Sequence, residues 1–212
     1  MRASAIRVLG PAVISLLVWG CAKAAAQSAQ ALFSSAVADF EHGRFAEAAK
    51  GFDEVARLAP GSAPQLWQRG IALYYAGRFS DCRRQFESHR TVNPDDVENA
   101  AWHFLCVARS ETPQKAQAAL LPVGPDSRQP MREIYQMFHG TLTPADVLRA
   151  AGGQPAGLFY AHLYIALYSE ATGNPAMALT HIKEAADGKY GAAGGYMHMV
   201  AQVHLKARTA TP

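Results

Sequence analysis

Histidines and adjacent carboxylates are the residues of this chain that could do chemistry, and their spacing favours none of the usual reactions. His198 and His204 lie six positions apart on one predicted helix, whereas paired helical metal ligands usually lie four apart. His181 could join one of them, but no cysteine or carboxylate cluster accompanies it. Asp95 and Asp96 precede a helix, whose N-terminus they would stabilise. There is no nucleophile-elbow serine, and the glycines occupy turns. We therefore expect no catalytic residue, metal or cofactor.

Two cysteines, Cys82 and Cys106, follow the N-terminal segment. Both lie on apolar faces of predicted helices, where cysteine behaves as a small buried hydrophobic residue. An exported protein would permit a disulfide, but spacing alone does not pair two cysteines. We expect two buried thiols, with a disulfide as the open alternative.

The first 26 residues have the order of a secretory signal peptide. Arg2 and Arg7 form a basic start, Val8–Gly20 is uncharged and mostly apolar, and small residues follow up to Ala26. The apolar run is shorter than the ~20 residues that a membrane-spanning helix needs. We expect export to the bacterial periplasm, with cleavage near Ala26.

A second outcome for the N-terminus is lipidation. Val18–Cys21 resembles a bacterial lipobox, in which the cysteine is lipidated and becomes the new N-terminus, although Trp19 departs from the small or aliphatic residue usual there. In that case a lipid on Cys21 would anchor the protein in the envelope, as its only contact with a membrane.

The basic character of the chain belongs to its leader. Arg2, Arg7 and Lys23 account for three of the 20 basic residues, which leaves 17 basic and 17 acidic residues after residue 26. A formally neutral mature chain does not favour a nucleic-acid partner.

The region after the leader repeats itself at a spacing of 34 residues. Gly43–Phe45 returns as Gly77–Phe79, and Phe52 returns as Phe86. This period is typical of tetratricopeptide (TPR) repeats, which are pairs of antiparallel helices that stack into a superhelix. The chain closely resembles the TPR family in its first two copies and more weakly afterwards.

The resemblance implies an all-α protein, a TPR superhelix or α-solenoid that is interrupted by an irregular helical insertion. The glycines and prolines divide the chain into units. They are a signal peptide at 1–26, TPR 1 at 29–62, TPR 2 at 63–96, a degenerate TPR 3 at 97–121, a Pro/Gly-rich insertion with short helices at 122–158, a TPR-like hairpin at 159–187 and a capping helix at 196–207.

Arginine replaces the usual leucine of the TPR pattern at position 69. We expect Arg69 to form a structural ion pair with an acid such as Asp81 or Glu54.

The first helix of each TPR lines the concave surface of the array. The residues predicted to be exposed there and to bind a partner are mainly aromatic, and aromatic side chains with an arginine make strong interface anchors. They are Phe33, Phe40, Trp67, Ile71, Tyr74, Tyr75 and Arg109. The lysine, arginine and asparagine clamp of chaperone-binding TPRs is absent from these sites.

The leader, the lipidation motif and Phe159–Tyr164 are similar to NlpI-like bacterial TPR lipoproteins, which are envelope adaptors that hold proteases and cell-wall hydrolases. This resemblance implies a non-enzymatic adaptor with a protein partner in the concave groove. The alternative is an assembly or accessory factor that binds a small molecule or cofactor in the same groove. Terminal helices of TPR proteins often form homodimers, so the last helix could do the same.

Overall fold

A computed structural model describes residues 27–209, and these residues form helices and connecting turns without a β-strand. The all-α prediction is confirmed. No helix within this part of the chain is both long enough and apolar enough to cross a membrane. The predicted signal peptide and Cys21 lie outside the described residues.

Eleven α-helices follow one another in the described part of the chain, and most pack against the next. Short 3₁₀ turns at Pro60–Gln65 and Gly188–Tyr190 precede α3 and α11. The α-helices are α1 (27–41), α2 (Phe45–Leu58), α3 (Trp67–Tyr75), α4 (Phe79–His89), α5 (Val97–Ser110), α6 (Pro113–Ala118), α7 (Met131–His139), α8 (Pro144–Ala150), α9 (Pro155–Ala171), α10 (Pro175–Ala185) and α11 (Gly191–Thr209).

Left-handed glycines make the tight turns within the helix pairs α1–α2 and α3–α4. Gly43 has a φ of 75° and Gly77 a φ of 73°, a region in which other residues are strained. Both turns reverse the chain after only a few residues, so the paired helices are antiparallel neighbours.

Close packing in the second pair depends on the absence of a side chain at Gly70. A Cβ atom there would lie 2.6 Å from the ring of Phe86, which is itself buried. The absence of a side chain at Gly70 therefore lets α3 and α4 approach closely.

The region predicted as an ordered insertion forms α7 and α8. Thr143 and Asp146 make a reciprocal capping box at the start of α8. Ile134, Met137 and Val147 are fully buried, as their apolar character requires. Because α7 packs against α5 and α9, the insertion is part of the core.

The second helix pair starts after a 3₁₀ turn, and one of its ion pairs differs from the expectation. A 3₁₀ turn occupies Pro60–Gln65, so α3 begins only at Trp67. Arg69 pairs with Asp53 at 2.7 Å rather than with Asp81 or Glu54. The expected partners are already engaged by arginines on their own helices.

Cys82 and Cys106 form a disulfide that joins α4 to α5, with Cα atoms 5.9 Å apart. Both residues are fully buried, as expected. The expectation that they remain thiols is wrong. The packing of α4 against α5 brings together two side chains that are separated by 24 positions in the sequence.

Reduction of this disulfide should lower the free energy of unfolding by about 3 kcal/mol, because the reduced chain gains conformational entropy when it unfolds. Urea unfolding with and without dithiothreitol measures the difference. A Cys82→Ala/Cys106→Ala variant serves as the control and should not respond to the reductant. Two free thiols titrated in the unreduced, denatured segment after residue 26 would contradict the assignment.

Candidate functional site

The last helix covers the face on which the sequence predicted an open groove. Gly195 adopts φ 51° and ψ −126°, which breaks α11 and directs its long second part across neighbouring helices. That part packs on α9 and α10, and its side chains reach α3. The rings of Tyr196 and Trp67 meet edge to face with centroids 5.0 Å apart.

Several residues predicted to line an exposed groove are instead core residues. Phe40 and Ile71 are 0 % exposed and Tyr74 is 7 % exposed, so the prediction of their exposure is wrong. Phe40 packs between the rings of Phe45 and Tyr75, at centroid distances of 5.6 and 5.3 Å. Apolar side chains from adjacent helices thus cover one another.

Three other residues predicted to line the groove remain partly exposed to solvent. Phe33 is half-buried against Phe52, and Trp67 is half-buried beside α11. Arg109 is about half-exposed, with its guanidinium 5.3 Å from the centre of the Phe79 ring. Arg109 lines one pocket with Tyr74 and Tyr75, whereas Phe33 and Trp67 do not line that pocket.

A polar network attaches the end of α11 to α3 and α9. His204 Nδ1 lies 2.8 Å from the Tyr75 hydroxyl, and Nε2 lies 3.1 Å from a carboxylate oxygen of Glu170. Arg208 also pairs with Glu170. Burial, together with the charge of Arg109, lowers the pKa of His204 to about 4. The neutral ring therefore donates from Nε2 to Glu170 and accepts from the Tyr75 hydroxyl at Nδ1.

A partly enclosed space of about 310 Å³, here called the aromatic pocket, lies where α3, α4, α5, α9 and α11 meet. Its walls combine five aromatic rings with a set of polar and charged side chains. The lining residues are Trp67, Phe86, His89, Asn93, Asp96, Glu98, Asn99, Trp102, Arg128, Tyr160, Gly194, Tyr196 and Met197.

Buried polar atoms without a protein partner concentrate on residues of the aromatic pocket. Five such side-chain atoms occur in the described part of the chain, and four belong to lining residues. These four are His89 Nε2, Asn99 Oδ1, Trp102 Nε1 and the Tyr196 hydroxyl. Since each unpaired group costs about 1–3 kcal/mol, their concentration at one place calls for a partner such as a ligand or bound water.

The hydrogen bond at His89 Nδ1 determines whether the other ring nitrogen, Nε2, donates or accepts. His89 Nδ1 lies 2.8 Å from the carbonyl oxygen of Pro64, which can only accept, so this nitrogen carries the proton. In the neutral ring Nε2 is then an acceptor. It lies 4.0 Å from the Asp96 carboxylate, beyond hydrogen-bonding distance.

Carboxylates dominate the charge beside the pocket. Arg128, which precedes α7, contacts Asp96, Glu98 and Asp126 at distances of 2.7, 2.6 and 2.7 Å. Three carboxylates thus surround one guanidinium. Burial and the neighbouring Asp96 raise the pKa of Glu98, while Arg128 and a 2.6 Å hydrogen bond from the Tyr164 hydroxyl oppose this rise.

The histidines considered as metal ligands contact other side chains instead of one another. His181 Nδ1 lies 2.9 Å from His162 Nδ1, and His204 contacts Glu170. Across 27–209, no three His, Cys, Asp or Glu side chains are grouped as a metal site would require.

Sequence reasoning found only part of the aromatic pocket. Trp67 was predicted as a binding residue, and Asp96 was predicted to stabilise the start of α5, which it does by accepting a hydrogen bond from the Glu98 amide. The contributions of Asn99 and Trp102 were missed. A signal for Asn99 was present, because an amide within the long apolar run of α5 needs an explanation.

No protein-family model matches this chain, and no curated protein is significantly similar to it.

Replacing Asn99 by leucine should raise the free energy of unfolding by about 1 kcal/mol, because it removes a buried acceptor that has no protein partner. Gln85→Leu is the matched control. Gln85 is equally buried, but its amide accepts from Arg69 and donates to the Ala63 carbonyl. Its loss should cost roughly 2 kcal/mol. Urea unfolding compares the two variants, and equal destabilisation would contradict the unpaired state of Asn99.

Proposed function

We propose that this protein is a non-catalytic binding protein that holds a small molecule in the aromatic pocket. The observation that carries the proposal is the concentration of unpaired buried polar atoms on residues of this one pocket. Its volume of about 310 Å³ lies at the lower end of the range for small-molecule sites. Its mixture of aromatic walls and a few polar groups is also typical of such sites.

The position of α11 supports small-molecule binding over an open protein-binding groove. Tyr196 and Met197 line the pocket, so α11 completes a wall that the earlier helices lack. A ligand held there would contact four or more helices at once and would stabilise their arrangement. The pocket therefore lies at the groove in which an accessory factor would bind its ligand. It is also enclosed on several sides, as a small ligand requires.

We also propose that the helix pairs are TPR-type hairpins and that the protein is exported to the cell envelope. The tight turns at Gly43 and Gly77 and the 34-residue spacing support TPR-type hairpins. The Cys82–Cys106 disulfide supports export, because disulfides persist mainly in oxidising compartments. The envelope location, in the periplasm or on a lipid at Cys21, accordingly belongs to the proposal.

Native mass spectrometry of the protein recovered from cells without dialysis tests ligand binding. We expect a small-molecule adduct on the intact chain that is lost in Trp67→Ala, since Trp67 forms a wall of the pocket. Phe33→Ala is the control because Phe33 is also half-buried and aromatic but packs on Phe52, away from the pocket. An adduct equally retained by both variants would place the site elsewhere.

A second candidate function is the adaptor expected from the sequence, which would hold a protein partner such as an envelope protease or hydrolase. The observation that favours it is α11 itself, because a helix of this chain lies on the face predicted to accept a partner's helix. A partner helix, or the last helix of a second copy, would have to replace α11. The network of Tyr75, His204 and Glu170 would resist that exchange.

Glu170→Gln tests whether this network holds α11 in place. The substitution removes the charge that Arg208 and His204 contact, so we expect amide exchange in the C-terminal half of α11 to accelerate about tenfold. Glu184→Gln on α10 is the control, since Glu184 pairs with the exposed Lys189. Hydrogen exchange read by mass spectrometry measures both. Unchanged exchange in Glu170→Gln would contradict a latching role for the network.

A further inference from the structure

The ligand class follows from the charge and the unpaired atoms of the aromatic pocket. We infer that the pocket binds a small organic cation, a protonated primary or secondary amine, against its carboxylates and aromatic rings. This inference rests on the proposed small-molecule function and specifies the ligand.

The first argument is charge. Asp96 and Glu98 line the pocket, with side chains only 19 % and 14 % exposed, and Asp126 contacts the same Arg128 guanidinium. Arg128 is the only lysine or arginine among the lining residues. One guanidinium among three carboxylates leaves an excess of negative charge in a poorly hydrated place, where charge interactions are strong.

The second argument is that every guanidinium nitrogen of Arg128 already has a carboxylate partner. Its Nε and both terminal nitrogens donate to oxygens of Asp126, Glu98 and Asp96. An anionic ligand would therefore have to break these bonds while it approached the same carboxylates. A cationic ligand approaches them without that loss.

The third argument is the hydrogen-bonding character of the unpaired atoms. Asn99 Oδ1 is an acceptor, and so is His89 Nε2 when Nδ1 carries the only ring proton, whereas Trp102 Nε1 is a donor and the Tyr196 hydroxyl can be either. A ligand that supplies at least two N–H donors would satisfy the acceptors. A protonated amine has such donors, and a quaternary ammonium ion has none.

The fourth argument is the aromatic wall. The Arg128 guanidinium lies 5.7 Å from the centre of the Tyr160 ring, so a cation already occupies one ring face beside the pocket. Trp67, Trp102 and Tyr196 provide further rings, and indole rings are the strongest cation–π partners among side chains.

Tryptophan fluorescence can report occupancy directly. The chain has three tryptophans, of which Trp67 and Trp102 both line the pocket. In a full-length Trp19→Phe chain every tryptophan signal therefore comes from this site. The probes are benzylamine, which is protonated at pH 7, benzyl alcohol as a neutral analogue of similar size, and benzoate as an anion.

We expect saturable fluorescence changes with benzylamine, at least tenfold weaker binding of benzyl alcohol and no binding of benzoate. Asp96→Asn should lower the affinity for benzylamine about tenfold while leaving that for benzyl alcohol within twofold, because asparagine keeps the helix cap but not the charge. Asp95→Asn is the matched control, since Asp95 is exposed one position earlier and does not line the pocket.

Glu98→Gln provides a second variant if Asp96→Asn does not fold, because glutamine can still accept the hydrogen bond from Tyr164. Equal affinities for the three probes, or tighter binding of benzoate, would overturn the amine assignment and leave the small-molecule function standing. Absence of any fluorescence change, together with no adduct in native mass spectrometry, would overturn both. A loss of affinity for all probes alike in Asp96→Asn would also overturn the role of its charge.

Discussion

The burial of α11 against the preceding helices is the constraint on which the rest of the structure depends. An apolar face on the preceding helices needs a cover, because the burial of apolar surface is favourable. Here the break at Gly195 directs α11 over that face, and contacts with α9 and α10 hold it there. The same placement closes the predicted groove and supplies a wall of the aromatic pocket. One packing requirement thus shapes both the core and the site.

A second contact, between Arg128 and the start of α5, determines the net charge beside the pocket. Arg128 belongs to the Pro/Gly-rich insertion, whereas Asp96 and Glu98 belong to α5. The ion cluster therefore connects the insertion to the helix pairs, and it engages all three nitrogens of the guanidinium. Since the insertion brings Asp126 as well, the cluster keeps an excess of carboxylates beside the aromatic rings. The Pro/Gly-rich insertion thus contributes Arg128 to the lining of the proposed ligand site.

Most helices were predictable because their signals are local. The pattern around Thr143–Asp146 predicts a capped helix start, and the structure has the full capping box. Gly43 and Gly77 were recognisable as turns because few other residues adopt their conformation. The 3₁₀ turn at Pro60–Gln65, which precedes α3, was not predicted. Propensity does not distinguish such a turn reliably from a first helical turn.

The sequence by itself determined the helical class, the helix pairs and part of the buried set, since periodicity and turn chemistry act over a few positions. Only the tertiary structure decided that Phe40 and Ile71 are internal, that Cys82 meets Cys106, and that Asn99 and Trp102 share a pocket with Tyr196. Each of these outcomes joins side chains that lie on different helices. The physical reason is that an apolar stripe specifies burial but not its partner, which is chosen when the helices pack together.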